Sequence, residues 1–147
     1  MRIRHASIVF LCLLAAALAP NPLTAADTAP DLDEALEAVR TIEYGDSRKP
    51  VYAVREAVHA STASPEKQAE MQDRLLKLLE SPECSYMCAK LVCHNWLPVV
   101  GNQEAVPVLR DMLKDKERAP LAVEALTELP GEKSTEALRQ AVRDTTG

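Results

Sequence analysis

The chain has 147 residues and a formal net charge of −5, and 47% of its residues are hydrophobic. A chain of this length forms one domain with a substantial core. Its acidic balance argues against a nucleic-acid-binding protein, because phosphate recognition depends on clusters of Lys and Arg. It also argues against binding to anionic membrane surfaces. The charge is explained most simply by solubility.

The first 26 residues differ from the rest of the chain. Arg2 and Arg4 form a short basic start, residues 8–18 are almost uniformly apolar, and residues 24–26 are small. This order is typical of a secretory signal peptide. The apolar run is shorter than the roughly 20 helical residues that a bilayer span requires. An uncleaved anchor is the alternative, but we predict a cleaved signal peptide.

Cleavage is expected after Ala26, which leaves a mature domain at 27–147. It removes two arginines and no acidic residue, so the mature chain is more acidic than the whole. We therefore predict an exported protein, periplasmic or extracellular, with no membrane span after signal cleavage.

The mature part is typical of an all-α protein, with apolar residues at helical spacing and no alternating strand pattern. Four prolines are placed where a first helical turn tolerates them: Pro50, Pro65, Pro82 and Pro120. Others are placed at helix ends, and three glycines just beyond them: Pro98, Pro130, Gly45, Gly101 and Gly131. Ser64 and Ser81 are candidate N-caps, and Asp31 with Glu34 resembles a capping box. The predicted helices are 32–44, 48–61, 65–80, 82–97, 103–115, 119–129 and 134–144.

The predicted helices repeat along the chain. A shift of 29 residues lays 108–110 on 137–139, and a shift of 34 lays Leu75 on Leu109. Helix pairs that repeat at about 30 residues are typical of solenoids, in which each pair buries its apolar face against its neighbours. A non-repetitive helical bundle is the alternative.

Residues 71–144 resemble HEAT repeats, in the short form shared with phycobilisome-lyase-like proteins. The run 102–115 is similar to the first helix of such a repeat, and 121–129 is similar to the second. The resemblance implies an all-α fold, an α-solenoid of about three HEAT-like helix pairs. It also implies a protein–protein interaction or scaffolding function, and it carries no catalytic residues across.

One cluster of potential ligands stands out: Cys84, Cys88, Cys93 and His94. The string Cys88-x4-Cys93-His94 looks like a long-spaced variant of the c-type haem attachment motif, usually Cys-x-x-Cys-His. An electron-transfer haem protein, with Cys88 and Cys93 as thioether anchors and His94 as axial ligand, is therefore the alternative function. The low aromatic content, 3% of residues, argues against a porphyrin pocket.

Two other interpretations of the cysteines remain. Zinc is disfavoured because the four side chains would spread around one regular helix instead of converging. We favour a structural role, in which the cysteines are small buried hydrophobic residues of a helix that is apolar on two sides. A Cys84–Cys88 disulfide across one intact helical turn would be strained. A disulfide to a partner or to a second copy stays open.

Templates for catalysis are missing from the sequence. It has no glycine-rich phosphate loop, no Gly-x-Ser-x-Gly and no His-Glu-x-x-His. We therefore predict no enzymatic activity and no cofactor. Trp96 is expected in the core, and His59 on the surface near a helix C-terminus. A protein partner would contact the exposed charged positions Glu83, Lys90, His94, Arg110, Asp111 and Lys114.

Overall fold

The computed structural model describes residues 31–146, so the predicted signal peptide lies outside the described residues. All regular structure in this range is helical, which confirms the all-α class. The helices are Leu32–Arg40 (α1), Lys49–Ser61 (α2), Pro65–Glu80 (α3), Tyr86–Leu91 (α4), Leu97–Val100 (α5), Val106–Met112 (α6), Ala119–Glu128 (α7) and Glu132–Thr146 (α8). Between residues 31 and 146 no helix is both long and apolar enough to cross a membrane.

A π-helical turn at Val92–Trp96 joins α4 to α5, so that residues 86–100 form one continuous rod, the bulged helix. The Leu97 N–H donates to the Val92 carbonyl, five residues back. Pro98 has no N–H, and in an α-helix its ring would collide with the carbonyl four residues earlier. The wider turn gives that ring room, so the prediction that the helix stops at Pro98 is wrong.

The start of the bulged helix also differs from the prediction. Ser85, not Ser81, is the N-cap: its hydroxyl accepts from the Cys88 N–H at 3.0 Å. The Ser85 N–H donates to the Arg40 carbonyl at 2.9 Å, and its hydroxyl also donates to the Ile42 carbonyl at 2.6 Å. These bonds hold the backbone of Ser85 extended, so Pro82 lies in the preceding turn and not in a helix.

Other predicted caps and glycines have mixed outcomes. Ser64 caps α3 by accepting from the Lys67 N–H at 3.3 Å, as predicted. Asp31 precedes α1 but its side chain makes no capping bond. Gly45 and Gly131 have the positive φ expected beyond helix ends, +103° and +134°. Gly101, also expected just beyond a helix end, has φ −70° and so does not adopt the left-handed conformation common there.

Gly101 is instead explained by a close approach of backbone and side chain. A Cβ at this position would lie 2.5 Å from the Leu97 carbonyl oxygen and 2.6 Å from Leu129 Cδ2. The Gly101 N–H donates to the same Leu97 carbonyl at 2.7 Å. Only a residue without a side chain fits between the end of the bulged helix and the end of α7.

The bulged helix lies at the centre of the packing, in contact with α2, α3 and α7. α1 packs against α2, while α6 packs against α3, α7 and α8. The largest fully buried side chains form one core through these contacts, among them Trp96, Leu75, Leu97, Leu109 and Leu126. Trp96 is 1% exposed, which confirms its predicted core position.

Side-chain hydrogen bonds join elements that are distant in sequence. The Asn102 N–H donates to Gln72 Oε1 at 2.6 Å, and Gln72 Nε2 donates to Asn102 Oδ1 at 3.3 Å. Gln103 Nε2 donates to the Pro130 carbonyl at 2.7 Å. The Arg118 guanidinium donates to the Cys84 carbonyl. Each bond fixes a turn or loop against another segment about 30 residues away.

Candidate functional site

The charged positions predicted to meet a partner fall into two groups. Glu83 precedes the bulged helix, where it pairs with Arg40, and Lys90 is exposed on α4. Arg110 and Asp111 are exposed on α6, and Lys114 is exposed in the turn after it. Lys114 Nζ lies 2.7 Å from Asp111 Oδ1, and this contact lowers the pKa of the Asp111 carboxyl. The structure therefore pairs Asp111 with Lys114 within the predicted set.

His94, the sixth predicted position, lies in the π turn. Its Nε2 is 2.9 Å from Glu124 Oε2 on α7, close enough for an ion pair when the imidazole is protonated. The angles do not fit a hydrogen bond, and Nε2 is buried without a hydrogen-bond partner in the described part of the chain. His94 therefore faces α7 across a partly buried contact rather than standing free on the surface.

The cysteines are buried, which confirms the burial predicted for them. Cys84, Cys88 and Cys93 are free thiols at 3%, 0% and 1% exposure. Thioether bonds from Cys88 and Cys93 to a haem would require this part of the core to open. Across residues 31–146, no group of three or more His, Cys, Asp or Glu side chains is arranged to hold a metal ion.

The three thiols have different acidities. A hydrogen bond from Cys88, helped by the Arg118 charge, lowers the pKa of Cys84 to about 7 against the opposing effect of burial. The same bond, together with burial, raises the pKa of Cys88. Burial raises the pKa of Cys93 to about 12. At neutral pH, Cys84 is therefore the thiol that ionises most readily.

Cys84 does not lie on the helix that carries Cys88, because that helix begins at Tyr86. The expectation that both occupy one intact helix is wrong, and the strain argument against a disulfide between them no longer applies. Tyr86, the first residue of that helix, is 49% exposed.

A groove between α2 and the bulged helix was not predicted from the sequence. It has a volume of about 460 Å³. We call it the basic groove, and it is lined by Arg48, Val51, Tyr52, Arg55, His59, Leu91, Asn95 and Trp96. Three of its side chains are basic and none is acidic, although the chain as a whole is acidic.

The rim of the basic groove is exposed and its floor is apolar. Arg55 and His59 are exposed on α2, and Arg48, the residue just before this helix, is exposed in line with them because helical residues three and four apart are neighbours. The Arg55 guanidinium carbon lies 5.0 Å from the centre of the Tyr52 ring, within cation–π range. Val51, Leu91 and Trp96 supply the buried floor.

The spacing of Arg48, Tyr52, Arg55 and His59 on one predicted helix was the available sequence signal for this rim. The floor had no such signal, because Trp96 and Asn95 reach the groove through the π turn and the packing of the bulged helix on α2. The arrangement can bind an anionic group and cover an apolar one. No known protein family, curated protein or solved structure matches the chain.

Proposed function

We propose that this chain is an exported α-solenoid of about three HEAT-like helix pairs that binds other proteins and performs no catalysis. The basic groove is the observation that carries the binding proposal. It combines exposed cationic side chains with an apolar floor, and such mixed concave surfaces recognise ligands through a few placed polar groups.

The order of helix contacts supports a solenoid. α2, the bulged helix and α7 are neighbours in that order, and α3, α6 and α8 are neighbours in theirs. Side-chain bonds from Gln72 to Asn102 and from Gln103 to Ser134 span 30 and 31 residues, close to the repeat length in the sequence. Contacts between nearest repeats are the ones that stabilise solenoids.

The charged positions at Lys90 and Arg110 belong to the same proposal. Both are exposed, and neither makes an ion pair with another residue of the described range. Unpaired surface charges influence which partner binds and how fast it associates more than they influence stability.

Affinity capture from the envelope and culture fractions of the native host tests this proposal. The full-length gene is expressed in that host, and the processed protein is used as bait. Charge reversal at Lys90 or Arg110 should weaken capture of a partner that the unaltered protein retains, with unchanged helicity by circular dichroism. Lys133→Glu, an exposed reversal on α8, is the matched control.

Two results would count against the proposal. Equal capture by all variants would contradict the involvement of the predicted charged positions. An intact mass of the native protein that is heavier by one haem would instead support the electron-transfer alternative at Cys88, Cys93 and His94. The mass of residues 27–147 alone would agree with a cleaved signal peptide and a protein-binding module.

A further inference from the structure

We infer that the basic groove is the docking site for an extended acidic segment of a protein partner. The inference rests on the proposed protein-binding function and names the chemistry of the partner. The segment would place carboxylates on Arg48 and Arg55 and an apolar side chain over the floor at Val51 and Leu91.

The two arginines of the groove are not held in ion pairs by described residues of this chain, although Arg48 also borders a neighbouring pocket with Glu43 and Asp46. Arg40, Arg74 and Arg118 each lie within 4.0 Å of a carboxylate of this chain. Neither Arg48 nor Arg55 has such a partner within the described range. In a chain with five more acidic than basic residues, two unpaired arginines and His59 around one concavity favour an acidic ligand from outside.

The spacing of these cations fits an extended peptide. A helix rises 1.5 Å per residue, so Arg48 and Arg55 are separated by roughly 10 Å along α2. A segment in the polyproline-II conformation has three residues per turn and advances about 3.1 Å per residue, so carboxylates three residues apart lie on one face and match that separation. His59 lies roughly 6 Å further along α2 and adds positive charge near one end of the segment. The expected pattern is an acid, two other residues and a second acid.

One feature of the groove suits a carboxylate, and a second favours a peptide over a free anion. The Tyr52 ring beneath the Arg55 guanidinium orients it before binding, and a guanidinium fork can hold a carboxylate through two bonds. The apolar floor at Val51 and Leu91 offers a surface that a simple anion would leave uncovered. Asn95, exposed beside it, can donate to and accept from a peptide backbone.

The test is fluorescence anisotropy with the purified processed protein. The probe is a fluorescein-labelled peptide, Glu-Leu-Ser-Glu-Leu-Glu, and the reference is the same peptide with glutamine at each acidic position. The acidic probe should bind, more weakly as salt is raised, and the glutamine peptide should not. Arg48→Glu and Arg55→Glu should each weaken binding by roughly tenfold. Arg55→Lys, which keeps the charge but loses the fork, should have a smaller effect.

Arg139→Glu is the matched control, because Arg139 is exposed on α8 and makes no ion pair with another described residue. An equal loss of affinity with Arg139→Glu would overturn the inference in favour of non-specific electrostatics. If inorganic phosphate at the same concentration as the labelled peptide displaced that peptide, the groove would be a simple anion site and the inference would fail. Full binding by folded Arg55→Glu protein would also refute it.

The result of the peptide-binding test can be distinguished from the result of the partner-capture test of the proposed function. If the native partner is captured equally well by Arg48→Glu and Arg55→Glu protein and the acidic probe does not bind, the groove inference fails while protein binding stands. If no partner is captured by the unaltered protein, the broader proposal fails. Binding of the probe that depends on Arg48 and Arg55 would still support an acidic-segment site.

Discussion

Replacing Gln72 by Met should destabilise the fold by about 1–2 kcal/mol. Gln72 is fully buried, and its amide both accepts from the Asn102 N–H at 2.6 Å and donates to Asn102 Oδ1 at 3.3 Å. Methionine has a similar volume, so the substitution removes the two bonds with little change in packing. Each neutral hydrogen bond contributes roughly 1 kcal/mol, and leaving the Asn102 N–H without its acceptor adds a desolvation penalty. Water that reaches the exposed side of Asn102 offsets part of that loss.

Urea unfolding followed by circular dichroism measures the change in the free energy of unfolding. Gln140→Met is the control: Gln140 is exposed on α8 and, among the described residues, its side chain bonds only within its own helix, so its replacement should change stability by less than about 0.5 kcal/mol. Amide hydrogen exchange at Asn102 should accelerate in Gln72→Met protein. A change in stability no larger than that of the control, with unaltered exchange at Asn102, would show that this bond pair does not hold α3 to the loop before α6.

Three further predictions concern stability. Gly101→Ala should lower the free energy of unfolding by about 1–3 kcal/mol, because its Cβ would collide with the Leu97 carbonyl; an unchanged urea midpoint would contradict this. Ser85→Ala should cost about 1 kcal/mol through the lost cap at Cys88, and equal midpoints would show that the cap is replaced. Burial raises the pKa of Cys93 to about 12, so stability is full below the ordinary thiol pKa and falls as pH rises towards 12. The loss at pH 10.5 is roughly 2–3 kcal/mol, and Cys93→Ser should remove it; parallel declines in both proteins between pH 7.5 and 10.5 would refute the assignment.

The helices bounded by unambiguous local signals could be predicted closely. α3 was predicted at 65–80 and begins and ends there, because Ser64 and Pro65 both act within their own helix. α2 and α7 agree to within a residue, and each has a proline in its first turn but no side-chain cap. The start of the bulged helix was predicted too early because the true start depends on the bond from the Ser85 hydroxyl to the Ile42 carbonyl, just after α1. Local sequence does not contain that contact.

The candidate site was less accessible to prediction. Exposure of Lys90, Arg110 and Lys114 followed from helical periodicity. The contact of His94 with Glu124 did not, because it depends on how the π turn packs against α7. The basic groove required the same kind of information, since its rim comes from α2 and its floor partly from the bulged helix. Periodicity indicates which side chains are exposed, but not which helices they face.

The π turn at 92–96 changes which side of the bulged helix each later residue faces. It holds one residue more than an α-turn, so every later position is rotated back by about 100°. On an unbroken helix, the exposed residues Lys90, Asn95 and Pro98 would spread over roughly 140° of the circumference; with the extra residue they fall within roughly 60°. The same correction brings Leu97 and Val100 round to the side of Cys88. A helical wheel or repeat alignment that counts 86–100 without this offset therefore assigns the second half of the helix to the wrong face.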